Sequence, residues 1–149
     1  MKTKHQLFFF LLLIVSLNLS AQDTSIFPAG TLSTNGHNTG SVWLTEINAA
    51  DSVFEYGTAF ASFAPNSTLD WHFHPGGQIL IITEGTGYYQ EKGLAKRIVH
   101  KGDIIKCQPN VAHWHGSTPS TTFSYIASSP SQKGKTQWLK PLTDEEYKN

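Results

Sequence analysis

One cysteine, Cys107, stands in 149 residues, so no intramolecular disulfide can form whatever compartment the chain occupies. It lies in the strand-like run Ile104-Ile105-Lys106-Cys107, where nothing in the pattern lowers a thiol pKa, and it reads as a small core residue rather than a nucleophile. Charge is sparse as well: 15% of residues are charged, with 11 basic against 11 acidic. Without a basic excess there is no electrostatic reason to expect nucleic acid or an anionic membrane as partner. Helical periodicity is almost missing beyond residue 21, and there is no internal repeat and no sign of a second domain. The one long apolar run, 7–15, is too short to cross a bilayer comfortably.

That run has a different reading. Lys2 and Lys4 precede it, and a polar-to-small stretch ends at Leu19-Ser20-Ala21. Basic, then apolar, then small at the cut is the layout of a secretory signal, here 1–21, with Gln22 as the new terminus. The mature protein is then expected to be exported, periplasmic or secreted, and free of the membrane. Losing Lys2 and Lys4 leaves 9 basic residues against 11 acidic ones. The segment 22–40, rich in Ser, Thr, Asn and Gly, is expected to cross the surface or pair at an edge. Residues 41–149 form the single domain, long enough to bury a core without covalent staples.

Within that domain, short runs rich in β-branched and aromatic residues alternate with Gly, Pro, Asn and Asp. Strands are predicted over 41–47, 53–63, 69–74, 78–84, 88–91, 94–99, 103–107, 112–115 and 122–127, with a tight turn at Gly85-Thr86-Gly87. Many short strands at such spacing mean an all-β sandwich or barrel. Only Thr143-Asp144-Glu145-Glu146 suggests a helix, through its capping-box form.

The chemistry is concentrated in two segments, Trp71-His72-Phe73-His74-Pro75-Gly76-Gly77-Gln78 and Pro109-Asn110-Val111-Ala112-His113-Trp114-His115. Side chains alternate along a strand, so His72 and His74 share a face, as do His113 and His115. Neutral imidazole is the commonest protein ligand for first-row transition metals. The Pro-Gly-Gly bend lets Gln78 return its amide oxygen toward the same point. Three imidazoles and one oxygen leave open positions, which catalysis requires and a structural site usually lacks. With no anionic ligand the metal keeps its full charge and acts strongly as a Lewis acid. Imidazole suits Mn, Fe, Co, Ni, Cu and Zn, and the amide oxygen favours a harder ion such as Mn(II) or Fe(II). His37 and His100 lack such context and read as exposed, and His5 falls in the signal.

These residues resemble the two motif halves of the cupin superfamily. His72-x-His74, Gln78 and Gly85 match the first half, with Gln in the Glu position. Gly102 and Gln108-Pro109-Asn110-Val111-Ala112-His113 match the second, with Gln108 and Asn110 where Pro and Gly are usual. Asn tolerates a left-handed backbone, so the turn should survive. A narrower resemblance rests on Gly40-Ser41-Val42-Trp43, the Gln78 substitution, His113-Trp114-His115-Gly116 and Trp138-Leu139-x-Pro141-Leu142-Thr143-Asp144-Glu145-x-Tyr147. It is to the small single-domain cupins that include bacterial (R)-selective hydroxynitrile lyases. The resemblance implies a jelly-roll barrel, a homodimer or homotetramer, and Mn(II) held by His72, His74, Gln78 and His113. It also implies His115 in proton transfer or cyanide handling. Tyr125 stands where the lyases carry a further active-site His, and Tyr88 and Tyr89 alter the expected lining.

The resulting expectation is a metal-dependent lyase acting on a small-molecule cyanohydrin, with the metal polarising oxygen and His115 as general acid or base. Phe60, Phe73 and Trp114 are candidates for an apolar pocket. Two other readings stay open: a dioxygenase using Fe or Mn on an aromatic or enolic substrate, and a periplasmic ligand- or metal-binding module without turnover. A barrel of this kind hosts many chemistries, so the fold does not choose among them.

Overall fold

The computed structural model describes residues 26–28 and 30–149; the predicted signal at 1–21 lies outside the described residues. In chain order the strands are β1 (Thr31–Leu32), β2 (Asn38–Thr39), β3 (Val42–Asn48), β4 (Tyr56–Phe63), β5 (Thr68–Leu69) and β6 (His72–Phe73). They continue with β7 (Gln78–Glu91), β8 (Arg97–His100), β9 (Ile104–Cys107), β10 (His113–Ser117), β11 (Phe123–Pro130) and β12 (Gln137–Trp138), and end in helix α1 (Asp144–Lys148). Every pairing is antiparallel. One sheet runs β1-β3-β4-β11-β7-β9, and the other gathers β8, β10, β5 and β6 around the second half of β7, with β2 and β12 at its margins. Sharing β7, the two sheets curl into the antiparallel jelly-roll barrel that the family resemblance implied, and the chain ends in a short helix that buries none of its residues.

The shared strand corrects one expectation. No turn forms at Gly85-Thr86-Gly87; β7 runs through it for 14 residues and changes sheets there. Gly85 has φ 74°, and a Cβ on it would sit 1.9 Å from the Thr122 carbonyl oxygen. The register against β11 also slips between Ser124 and Tyr125, leaving Thr83 as the extra residue. A left-handed glycine beside a bulge bends an extended strand instead of reversing it. Elsewhere 53–63 forms a strand only from Tyr56, because Asp51 Oδ1 accepts from the backbone N–H groups of Val53 (2.7 Å) and Phe54 (2.6 Å) and holds a turn. The run 69–74 breaks at Asp70-Trp71 into β5 and β6, and 94–99 becomes β8, starting at Arg97. The edge strands β1 and β2 pair with β3 and β5, and Thr143 caps α1 with the reciprocal Glu146 bonds of a capping box.

Side-chain size along two paired strands shapes the interior. On the inner face of β4 and β11 the registered pairs are Ala59 with Ala127, Ala61 with Tyr125, and Phe63 with Phe123. Phe63 and Phe123 are fully buried and pack with Val42, Ile82 and Val99 at the filled end. Each such side chain contributes about 1.5–3 kcal/mol by leaving water. The alanines at the other end leave space, and the histidines of the second sheet face it.

Candidate metal centre

Antiparallel pairing of β10 with β6 sets His113 directly opposite His72. The ring centroids of His72 and His113 are 4.5 Å apart, those of His72 and His74 5.2 Å, and those of His74 and His113 5.5 Å. One ligand atom from each lies within 4.8 Å of the others. His74 follows β6, where the chain bends through Pro75-Gly76-Gly77. Its carbonyl accepts from Gly77 N–H (3.0 Å) and Asn110 N–H (3.1 Å), so the turns of both motif halves close on one oxygen. Gly77 and Asn110 are both left-handed, at φ 78° and 61°, and Asn110 thus meets the demand anticipated for it.

Hydrogen bonds on the far side of each ring decide which nitrogen faces inward. His72 Nδ1 lies 2.7 Å from the Asp70 carbonyl oxygen, and His113 Nδ1 lies 2.9 Å from the Val111 carbonyl oxygen. A carbonyl only accepts, so both rings carry their proton on Nδ1. His74 Nδ1 lies 3.2 Å from Thr136 Oγ1. Each Nδ1 is committed, and Nε2 of His74 and of His113 is buried without a partner. Gln78, the first residue of β7, lines the same cavity with a buried, unpartnered Oε1. Orphaned acceptors cost about 1–3 kcal/mol each unless something fills them. Convergent imidazole and amide donors, with their outer nitrogens already bonded, are a donor set that fits a divalent transition metal.

His115 is built differently. It neighbours His72 at 5.2 Å and His113 at 5.9 Å between ring centroids, yet neither of its ring nitrogens has a hydrogen-bond partner among the described residues. Burial and then repulsion from His72, His113 and His74 hold its pKa well below the ordinary imidazole range. Burial likewise lowers His72 far and His113 less far, and it brings His74 down to about 4. All four rings are therefore neutral at neutral pH, the state that metal binding requires.

The cavity beside these rings is about 150 Å³, lined by His72, His74, Gln78, His115, Tyr125 and the two alanines of β4. It opens past Ala127 and Thr136 into a wider mouth of about 660 Å³ edged by Asn48, Ala50 and Thr58. Tyr125 meets His115 edge-on at 5.1 Å. Phe60, Phe73 and Trp114 do not line this cavity. Phe60 packs on Phe27 outside the barrel, Phe73 sits opposite Gln137, and Trp114 donates to Gln90 Oε1 and packs on Tyr88 and Tyr147. Alternation explains all three, since each neighbours an inward residue on its strand. Tyr88 faces that outer cluster, whereas Tyr89 is buried and donates to Glu91 Oε1 at 3.0 Å. Cys107 is a buried core residue, as its run implied, and burial pushes its thiol up to about 11. His100 is exposed, whereas His37 is half-buried, stacked on Trp138 at 4.5 Å and 9° between planes. Reading by motif missed Asp70, Val111 and Thr136. No residue type marks a backbone acceptor in advance, and Thr136 lies 62 residues from the ring it holds.

The inner wall of this barrel thus gathers three histidines that could together hold a metal ion. The matches are more specific. Residues 59–128 match the model of the cupin domain. The chain is 35% identical over 111 residues to an (R)-mandelonitrile lyase from Granulicella tundricola, covering 74% of this chain and 85% of that one. It is 40% identical to a cupin-like protein from Thermotoga maritima, with TM-score 0.81, covering 83% of this chain and 95% of that one. A cupin 2 conserved barrel domain protein from Rhodopseudomonas palustris shares the fold at TM-score 0.62 and 13% identity, over 76% of this chain and 74% of that one. The chain belongs to the cupin superfamily and is one of its small members.

Proposed function

We propose that this chain is a metal-dependent lyase that splits an aromatic cyanohydrin into aldehyde and hydrogen cyanide, or joins the two. The observation that carries the reading is the contrast among four imidazoles. Three have Nδ1 committed and converge, and the fourth, His115, is buried beside them with neither nitrogen partnered among the described residues. The relative named as an (R)-mandelonitrile lyase supports the reaction class. A space of about 150 Å³ supports a single ring, being of the size that admits benzene. On this reading His72, His74, Gln78 and His113 hold a divalent ion, Mn(II) in first place. When bound, that ion supplies Lewis acidity toward the substrate oxygen, undiminished by any anionic ligand.

The chain's own residues then carry the proton. A ring nitrogen of His115 accepts the hydroxyl proton; the bond to the nitrile carbon breaks, its electron pair leaves as cyanide, and the carbonyl forms. The imidazolium returns its proton to cyanide, so the step balances without oxidant or co-reactant. Burial keeps His115 neutral beforehand and favours giving the proton up afterwards. Tyr125 walls the cavity edge-on to His115, while Ala59 and Ala61 leave room for the ring. Export rests on the predicted signal at 1–21, and a homodimer or homotetramer rests on the family resemblance. The test is benzaldehyde release from mandelonitrile by Mn(II)-loaded protein, followed by absorbance under air and under nitrogen. Equal rates in both gases, abolished by chelation, are expected. Turnover that needs air would replace the lyase with an oxygenase, and metal binding without turnover would leave a binding module.

A further inference from the structure

The cupin match ends at residue 128, yet two of the candidate ligands are held from beyond it. After β11 the chain returns across the barrel mouth. Thr136 Oγ1 meets His74 Nδ1 at 3.2 Å. In β12, Trp138 pairs with His72, and its ring lies 4.9 Å from the His72 ring on one side and 4.5 Å from His37 on the other. Leu139 N–H donates to the Trp71 carbonyl at 2.8 Å, and Leu142 N–H donates to Asp70 Oδ1 at 3.2 Å. The segment 131–142 is therefore tied down on both sides of the two histidines.

The three outer hydrogen bonds are not equivalent. His72 and His113 use backbone carbonyls two residues back in their own segments, so both bonds are local to the chain. His74 alone uses a side-chain hydroxyl, brought from 62 residues away. With Nε2 turned inward as an acceptor, His74 carries its proton on Nδ1 and donates it to Thr136 Oγ1. Such a bond fixes the ring's rotation and raises the basicity of the inward nitrogen. We propose that Thr136 is a positioning residue that orients His74, and that through it the segment 131–142 sets how tightly the centre holds its metal. The proposal rests on the metal-centre part of the reading above and not on the cyanohydrin reaction.

The test titrates Co(II) into metal-free full-length protein, following its visible absorption bands and its dissociation constant for wild type, Thr136→Val and Thr136→Ser. Valine keeps the shape and removes the hydroxyl; serine keeps the hydroxyl and removes the methyl. Thr136→Val is expected to weaken Co(II) binding by about tenfold or more and to shift the bands. Its metal-free thermal midpoint should match that of wild type, and Thr136→Ser should restore affinity and spectrum. Wild-type affinity and spectrum in Thr136→Val would overturn the proposal. So would a serine variant that fails like valine, since packing and not the hydroxyl would then be responsible. If wild type itself takes up no Co(II), the metal-centre reading falls as well, a result distinct from either.

Discussion

Replacing His115 with alanine separates holding the metal from moving the proton. The candidate ligands take their outer hydrogen bonds from Asp70, Val111 and Thr136, none of which touches His115 through such a bond, so their orientation should survive. Folding should survive too. Neither ring nitrogen of His115 has a partner to strand, and the lost packing against Phe63 and Tyr125 is offset by removing a buried polar ring. We expect a stability loss of about 2 kcal/mol or less. Catalysis should not survive, because a positioned acid–base group contributes roughly 10²–10⁴-fold, which is about 3–5 kcal/mol of barrier. Metal content by mass spectrometry and benzaldehyde release should be measured on the same samples. The expected result is full occupancy with turnover down at least about a hundredfold. Occupancy that falls with activity would make His115 a ligand, and turnover within about threefold of wild type would make it a bystander; either refutes the division of roles.

Two further outcomes test the fold that carries the site. Gly85→Ala forces a Cβ to within 1.9 Å of a backbone oxygen at φ 74°, whereas Gly36→Ala meets nothing within 4 Å at φ 76°. Denaturant unfolding should show about 1 kcal/mol lost at Gly36 and more than about 3 kcal/mol at Gly85, and equal losses would show that β7 does not bend as described. Burial pushes the Glu146 carboxyl up, but hydrogen bonds from Lys140 and Thr143 outweigh it and hold the pKa down at about 2. A carboxyl lowered on folding stabilises above its unfolded value near 4.5 and loses that contribution as pH falls toward 2. Glu146→Gln should therefore cost about 1 kcal/mol at pH 7, after allowance for solvent screening, and progressively less as pH falls through about 2; a cost independent of pH would contradict the pairing.

Much of the candidate site was legible because its histidines come in strand-spaced pairs. The His-x-His segments stand out in a chain with 7 histidines, Gln78 gained its weight from its place in the family motif, and the turns beside them, Gly77 and Asn110, announce their backbone demands. Alternation and spacing made an all-β sandwich or barrel legible, and the family resemblance chose the barrel, but its seam was not legible. Gly85-Thr86-Gly87 has the composition of a hairpin turn, and only the Thr122 carbonyl beside it shows that the glycine bends a continuous strand. The same limit applied to Phe60, Phe73 and Trp114, whose apolar chemistry says nothing about which face of the sheet is inside. Strand β12, two residues long, carries no periodic signal at all, yet it reaches His72. What escaped the sequence is what depends on partners distant along the chain.

Metal stoichiometry, measured on protein reconstituted with Mn(II) and passed through a desalting column, decides whether the converging imidazoles hold an ion. Wild type should carry about one ion per chain, and His72→Ala and His113→Ala should lose most of it, since each removes one of three converging imidazoles. Full retention of metal in either variant, or no uptake by wild type of any divalent transition metal, would contradict the metal-centre reading.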